Sequence, residues 1–315
     1  MIGVILSSIE QHAKDIFVLG FAPEMDVPLP PAAAGAHIRI VLPNGLERCY
    51  SLVSQPGSVR EYSLAINLDP HGDGGSRYLC ETARIGDRFC ISAPLNQFSL
   101  IENAPSSFFI AGGIGITPIW SMIQRLEQIG GDWHLFYAVR ERACAAFLAQ
   151  LESLEAALPG RVSVSFGDDS AYPRLDIAKI VQQAPASSHL YCCGPKTMLD
   201  AFKTVAAGRD PATVHWEHFS MGSRVAGDSY TIELARNGQT FFVPAGKSVL
   251  DILIAAGLEV AYGCKQGICG ACQTNVLDGI PQHNDMVLSD EERASNKIVM
   301  ICCSGAVSER LVLDL

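Results

Sequence analysis

The chain has 315 residues, 48% of them hydrophobic and 18% charged, with a formal net charge of -10. Two or three domains of ~100–200 residues are expected at that length, and the balance excludes a largely disordered chain. An acidic chain without clustered Lys or Arg is a poor nucleic-acid ligand, because phosphates must be neutralised.

The N-terminal apolar run ends by Ser7, too short for a secretory signal, and no stretch of about 18 apolar residues occurs. Neither export nor a transmembrane helix is therefore expected. Eleven cysteines, an odd count, fit a reducing cytoplasm in which clustered thiols are candidate metal ligands. Cys80, Cys90 and Cys144 are expected as small buried fillers.

From Met1 to about Leu100, short runs such as HIRIVLP, CYSLVS, EYSLAIN and DRFCISAP alternate with Pro and Gly. Closely spaced strands with turn signals predict a small antiparallel barrel over residues 1–102. Over 103–222 the rhythm becomes strand, helix, strand, helix, which predicts an α/β domain with a parallel sheet and ligands at the strands' carboxyl ends. Its first helix, PIWSMIQRLEQIG, carries Ile119, Met122, Ile123, Leu126 and Ile129 on one stripe, with Thr117 as cap, Pro118 at the first position and Gly130 as stop. The stretch Met221–Ser229 reads as a linker. Over 228–315 a hairpin turning at Asn237-Gly238 precedes a helix that opens at Ser248 with Asp251 as its capping-box partner.

The sharpest signal is CKQGICGAC, where Cys264, Cys269 and Cys272 form C-x4-C-x2-C, with Cys302 and Cys303 beyond. This is plant-type 2Fe-2S spacing. Gly263, Gly267, Gly270 and Ala271 remove side-chain bulk, so backbone amides can turn toward the cluster sulfurs. Structural zinc ordinarily shows two C-x2–4-C knuckles, whereas here one side is a triplet and the other an adjacent pair. Spacing alone does not choose between Cys302 and Cys303 as fourth ligand.

Three further motifs fit nucleotides. RCYS places Arg48 and Tyr50 on one strand face, followed by Ser51; a guanidinium suits a phosphate, although such an arginine is often only solvated. GDGGSRYL supplies Gly75 and Ser76 in a turn that could cradle the same phosphate. AGGIGITP, between a strand and a helix, brings Gly112, Gly113 and Gly115 to a pyrophosphate-binding turn bordered by Thr117 and Pro118. CCGP repeats the logic with Cys193 and Gly194; Cys193 lies in the cleft or is a buried filler. His215, His218 and His283 lack a metal-binding pattern and are read as structural. Arg140 and Arg142 follow the domain's second strand and suit either a 2′-phosphate or solvent, so NADH and NADPH both stay open.

With RCYS, GGS, AGGIGITP, YCCGP, VHWEHF and CKQGICGAC in this order, the chain resembles the phthalate dioxygenase reductase family over nearly its whole length. The resemblance implies a flavin-binding β-barrel, a ferredoxin-reductase-like nucleotide domain and a C-terminal β-grasp ferredoxin. It implies FMN held by Arg48, Tyr50, Ser51 and Ser76, and NADH bound beside Thr117 and Pro118. It places Cys193 near the hydride path, Phe219 against the flavin and Glu217 two residues before it. VMICCS looks like the family's Met-x-Cys-x-Ser, which selects Cys302 as the fourth cluster ligand. The sequence departs from the family's pattern at Cys49, inside RxYS. Implied, then, is a reductase passing electrons from NADH through FMN and 2Fe-2S to a partner Rieske-type oxygenase. Two rivals are a stand-alone flavin reductase acting on a small molecule and a non-enzymatic 2Fe-2S carrier or sensor.

Overall fold

A computed structural model describes residues 1–72, 74–167, 175–219, 228–263, 265, 267, 270–285 and 287–315. Cys264, Cys269 and most of the expected linker lie outside the described residues. The chain divides into two compact units, the first ending at Phe219.

Six antiparallel strands open the first unit: β1 (Ile2–Ala13), β2 (Ile16–Pro23), β3 (His37–Val41), β4 (Glu47–Ser51), β5 (Tyr62–Asn67) and β6 (Arg88–Ile91). Their order is β4-β3-β6-β1-β2-β5. The two edges then meet, because Leu52 bridges Leu64 and the Val53 N–H donates to the Ser63 carbonyl at 2.8 Å. Closure removes both sheet edges and makes a barrel. Its interior is apolar, with Leu6, Leu19, Phe21, Ile38, Ile40 and Tyr62 fully buried. Across the β5–β6 crossover a short helix, α1 (Gly75–Arg77), is entered through left-handed Gly74 (φ 89°).

Strands β7 (Ser107–Gly112), β8 (Trp133–Val139), β9 (Val162–Phe166), β10 (His189–Cys193) and β11 (Val214–Glu217) form a parallel sheet ordered β11-β10-β7-β8-β9. Helices α2 (Ile116–Ile129), α3 (Leu148–Ala157), α4 (Ile177–Gln183) and α5 (Lys196–Ala206) flank it. The central strands are apolar on both faces. Phe109, Ala111, Tyr191 and Cys193 join α2, α3 and the barrel residues Val53, Ala65 and Phe98 in one core. Ile110, Leu190 and Cys192 join α4 and α5 in another. One sheet face is thus sealed by the barrel's own side chains.

Four local expectations need correction. Helix α2 starts after Gly115, two residues earlier than the capping signal suggested, and its N-cap makes no side-chain bond. The Thr117 hydroxyl donates instead to the Ile114 carbonyl at 3.0 Å, and Pro118 sits within the first turn, where a missing N–H breaks no helical bond. Ile129, at the end of the predicted stripe, is 41% exposed because the helix stops at left-handed Gly130 (φ 69°). The run AAFLAQLESLEAAL reads as a helix from Ala145, but α3 begins only at Leu148, since Phe147 is itself left-handed (φ 58°). Cys90 is exposed, on the outward face of β6.

The second unit holds β12 (Tyr230–Leu234), β13 (Thr240–Val243), α6 (Val249–Ala255), β14 (Gln273–Asp278), β15 (Pro281–Gln282), α7 (Asp290–Ser295), β16 (Ile298–Met300), β17 (Gly305–Ala306) and β18 (Arg310–Leu313). The larger sheet is ordered β13-β12-β18-β14-β16, with β12 and β18 parallel and the other pairs antiparallel. Helix α6 packs Leu250 and Leu253 into its core. That helix opens with the expected capping box: Ser248 N–H donates to Asp251 and Asp251 N–H to Ser248 at 3.2 and 3.1 Å.

Candidate functional site

The barrel contributes a groove between β4 and α1. A Cβ on Gly75 would come within 2.7 Å of Arg48 Nε, so the arginine stem lies flat along that backbone. Arg48 Nη1 donates to the Glu47 carbonyl at 2.8 Å. Burial pushes the Tyr50 phenol well above its ordinary range, so it stays a neutral donor. Ser51 is buried, and its hydroxyl has no hydrogen-bond partner among the described residues. The Ser76 hydroxyl accepts from Asp69 N–H at 3.0 Å and keeps its own proton to donate. A guanidinium beside a glycine turn, a donor serine and an orphaned buried hydroxyl suit a flavin with a terminal phosphate.

The sheet contributes the second part. β7 ends at Gly112, and Gly113–Gly115 form a single 3-10 turn into α2. A Cβ on Gly115 would lie 2.2 Å from the Cys193 carbonyl; on Gly112, 2.6 Å from Pro195 Cδ; on Gly194, 3.1 Å from Gly112 Cα. These three glycines let the ends of β7 and β10 pack on each other. Gly113 differs: its φ is +53° and nothing lies within 4 Å of where a Cβ would be. Of the four, Gly113 alone faces open space at the helix start, where a pyrophosphate is best received.

Cys193 and Glu217 stand opposite each other on β10 and β11. Burial, and secondarily the Glu217 carboxylate, push the Cys193 thiol well up. Burial pushes the Glu217 carboxyl up to about 8, with Oε2 shielded and without a partner. Phe219, two residues on, packs against the core that contains Cys193 and barrel residue Val53. Cys193 and Phe219 therefore belong to the core that barrel and sheet share. Arg140 is exposed, whereas Arg142 pairs with Glu152 and lies over the Phe166 ring at 5.4 Å. His215, one of the three histidines read as structural, is bonded to His189 at 2.9 Å and stacked on Tyr191.

In the second unit the Cys302 thiol is within hydrogen-bonding reach of the Cys272 and Cys303 thiols and of the Gly267 N–H. Gly267 (φ +72°) has no room for a side chain, since a Cβ would fall 2.5 Å from Cys303 Sγ. Converging thiols around a left-handed glycine amide suit an iron-sulfur cluster better than an apolar core. Sequence reasoning missed a buried carboxylate behind this loop, Asp285; its signal, a lone Asp thirteen residues past Cys272, is indistinguishable from a turn.

A flavin-suited barrel, a nucleotide sheet and a cysteine loop on one chain define an iron-sulfur flavoprotein reductase. The 2Fe-2S iron-sulfur cluster binding domain model matches residues 232–307, and the oxidoreductase NAD-binding domain model matches 109–204. A tetrachlorobenzoquinone reductase from Sphingobium chlorophenolicum is 45% identical, covering 100% of this chain and 98% of that one. Phthalate dioxygenase reductase from Burkholderia cepacia is 34% identical, covering 98% and 96%. A solved phthalate dioxygenase reductase, described as modular for electron transfer from pyridine nucleotides to [2Fe-2S], superposes with a TM-score of 0.81 at 33% identity, over 99% and 97%. The chain belongs to the phthalate dioxygenase reductase family. No helix among the described residues is long and apolar enough to cross a membrane.

Proposed function

We propose that this chain takes hydride from NADH at an FMN in the barrel groove and passes single electrons through a 2Fe-2S cluster to a partner Rieske-type oxygenase, in the cytoplasm. The observation that carries the reading is the core shared by barrel and sheet, which contains Cys193 with Phe219 packed against it and Glu217 beside Cys193 on the next strand, in a chain that also matches a 2Fe-2S domain. Arg48 with the Gly75 and Ser76 turn would hold the phosphate, Tyr50 and Ser51 the flavin, and Gly112, Gly113, Gly115, Thr117, Pro118 and Gly194 the border of the dinucleotide. Cys264, Cys269, Cys272 and Cys302 would ligate the iron.

FMN, when bound, would accept hydride and release electrons one at a time, which a nicotinamide cannot do. The chain's own part is orientation. Cys193 and Glu217 keep their protons near neutral pH, so the pair adds no charge at the ends of β10 and β11. Phe219 must move aside, because reacting atoms need to approach to about 3–3.5 Å. No side chain has to abstract a proton for hydride to transfer.

Stopped-flow mixing with NADH tests the reading. Flavin absorbance should bleach before that of the cluster, and a cluster reduced with the flavin still oxidised would overturn it. A second reading, direct reduction of a small acceptor at the flavin, is favoured by the relative named as a tetrachlorobenzoquinone reductase. Quinone turnover undiminished in Cys272→Ala, which removes a cluster ligand, would select it.

A further inference from the structure

Behind the cysteine loop lies a group of charges to which electron transfer as described gives no task. The Asp285 side chain is 0% exposed, and its Oδ2 accepts from the N–H groups of Val287 and Leu288 at 3.1 and 2.9 Å. Arg293, on α7, donates to the Asp285 carbonyl at 2.5 Å and holds Nη2 3.7 Å from Oδ2. His283 Nδ1 is 3.7 Å from Oδ1. Oδ1, both His283 ring nitrogens and Arg293 Nε are buried without a hydrogen-bond partner among the described residues. A buried carboxylate held this incompletely costs stability unless it is used.

Its backbone is tied to the cluster loop from two sides. A Cβ on Gly267, midway between Cys264 and Cys269, would lie 3.1 Å from Asp285 Cα. Next to it, Asn284 Nδ2 donates to the Cys303 carbonyl at 3.1 Å and Asn284 N–H to the Ser304 hydroxyl at 3.3 Å. Residues 283–285 thus brace both the loop that carries the first three cysteines and the turn that carries the fourth.

We infer that Asp285 is a positioning residue for the cluster loop and that the opposed charges of Asp285 and Arg293 set the potential at which the cluster is reduced. The inference rests on the cluster reading above. One electron arrives from the reduced flavin, no bond forms or breaks, and no proton moves, so the cost of adding that charge depends on the fixed charges nearby. In the shielded interior such a charge acts strongly. Asp285 opposes reduction, and Arg293 favours it.

The test uses full-length holoprotein, with the cluster's EPR signal titrated against applied potential. Asp285→Asn keeps an oxygen for the Val287 and Leu288 amides but removes the charge, and its potential should shift positive. Arg293→Gln should shift it negative. Asp285→Ala, which also leaves the Val287 and Leu288 amides without an acceptor, should release iron to a chelator about ten-fold faster or more. Unchanged potentials in the two charge variants, or shifts in the same direction, overturn the inference. If Asp285→Asn takes up no cluster, Arg293→Gln decides alone: a negative shift supports it and an unchanged potential overturns it. Wild-type protein without a 2Fe-2S EPR signal would instead sink the cluster reading on which it rests.

Discussion

Cys193 and Glu217 face one another across adjacent parallel strands; burial pushes the Cys193 thiol up, and Glu217 holds its proton where an isolated carboxyl would have lost it. Burial is the larger cause for both. A buried carboxyl at the carboxyl end of a parallel sheet, with one oxygen unpartnered, is a perturbed group where ligands bind.

That perturbation should show in stability. The folded-state value of Glu217, about 8, lies above the usual 4.5, so the folded state binds more protons between those values. Its contribution is complete below about pH 4.5 and is lost as pH rises through 8, at about 1.4 kcal/mol per unit within that window. Relative to Glu217→Gln, wild type should therefore lose stability steadily from pH 5 to 8. Urea unfolding followed by tryptophan fluorescence reports on the right unit, because Trp120, Trp133 and Trp216 all lie in it. Parallel pH profiles for the two proteins would mean that the carboxyl is not buried as described.

The glycines of the nucleotide turn divide by what a methyl group would meet. Gly115→Ala drives a Cβ against the Cys193 carbonyl, a backbone atom that cannot yield, and should prevent soluble folding. Gly113→Ala meets open space and carries only the strain of a left-handed alanine, about 1–2 kcal/mol. It should fold with a Tm a few degrees lower and an NADH KM raised several-fold, since its methyl would occupy ligand space. An unchanged KM would place the dinucleotide elsewhere.

Adjacent cysteines give a sharp comparison. Cys302 reaches both the Cys272 thiol and the Gly267 N–H, whereas Cys303 Sγ, which also lies against Gly267 and within reach of Cys302, is hydrogen-bonded to the Met300 carbonyl and Ser304 hydroxyl, both at 3.8 Å. Cys303→Ala should keep its full iron complement, and Cys302→Ala should lose the cluster. Iron and labile sulfide assays on both variants check this, and cluster retention in Cys302→Ala refutes the assignment.

What the sequence disclosed followed from short-range rules. The Asn237-Gly238 hairpin, the Ser248–Asp251 capping box and the apolar runs of β7 and β10 are each decided within a few residues. The long β1–β2 hairpin is not among the strand-like runs the sequence marks, because register shifts between Leu6 and Ser8 and between Gln11 and Ala13 break the two-residue period of a strand. The start of α3 escaped for a similar reason: Phe147 takes left-handed geometry while stacking on Trp120 and meeting His12 of the barrel, contacts made across more than 20 residues. The site residues came from motifs, and motifs name ligand contacts. Asp285 and the Arg142–Glu152 pair are defined by what surrounds them in space.

The Arg142–Glu152 pair bears on cofactor choice. Arg142 is one of the two cations after β8, with the exposed Arg140, that sequence alone allowed to meet a 2′-phosphate, but in the fold a carboxylate already satisfies it and the Phe166 ring lies beneath it. A phosphate arriving there would have to displace or face Glu152, whereas a ribose hydroxyl can donate to it. NADH should therefore be preferred over NADPH. Both side chains are more than half exposed, so the effect is modest, on the order of 1 kcal/mol or about five-fold. Glu152→Gln is expected to raise kcat/KM for NADPH by about that factor while leaving NADH within about two-fold. Steady-state kinetics with both nucleotides at low ionic strength make the comparison, because added salt screens exposed charges. Equal gains for both cofactors would show that Glu152 acts on the general approach of an anion and reads nothing at the 2′ position.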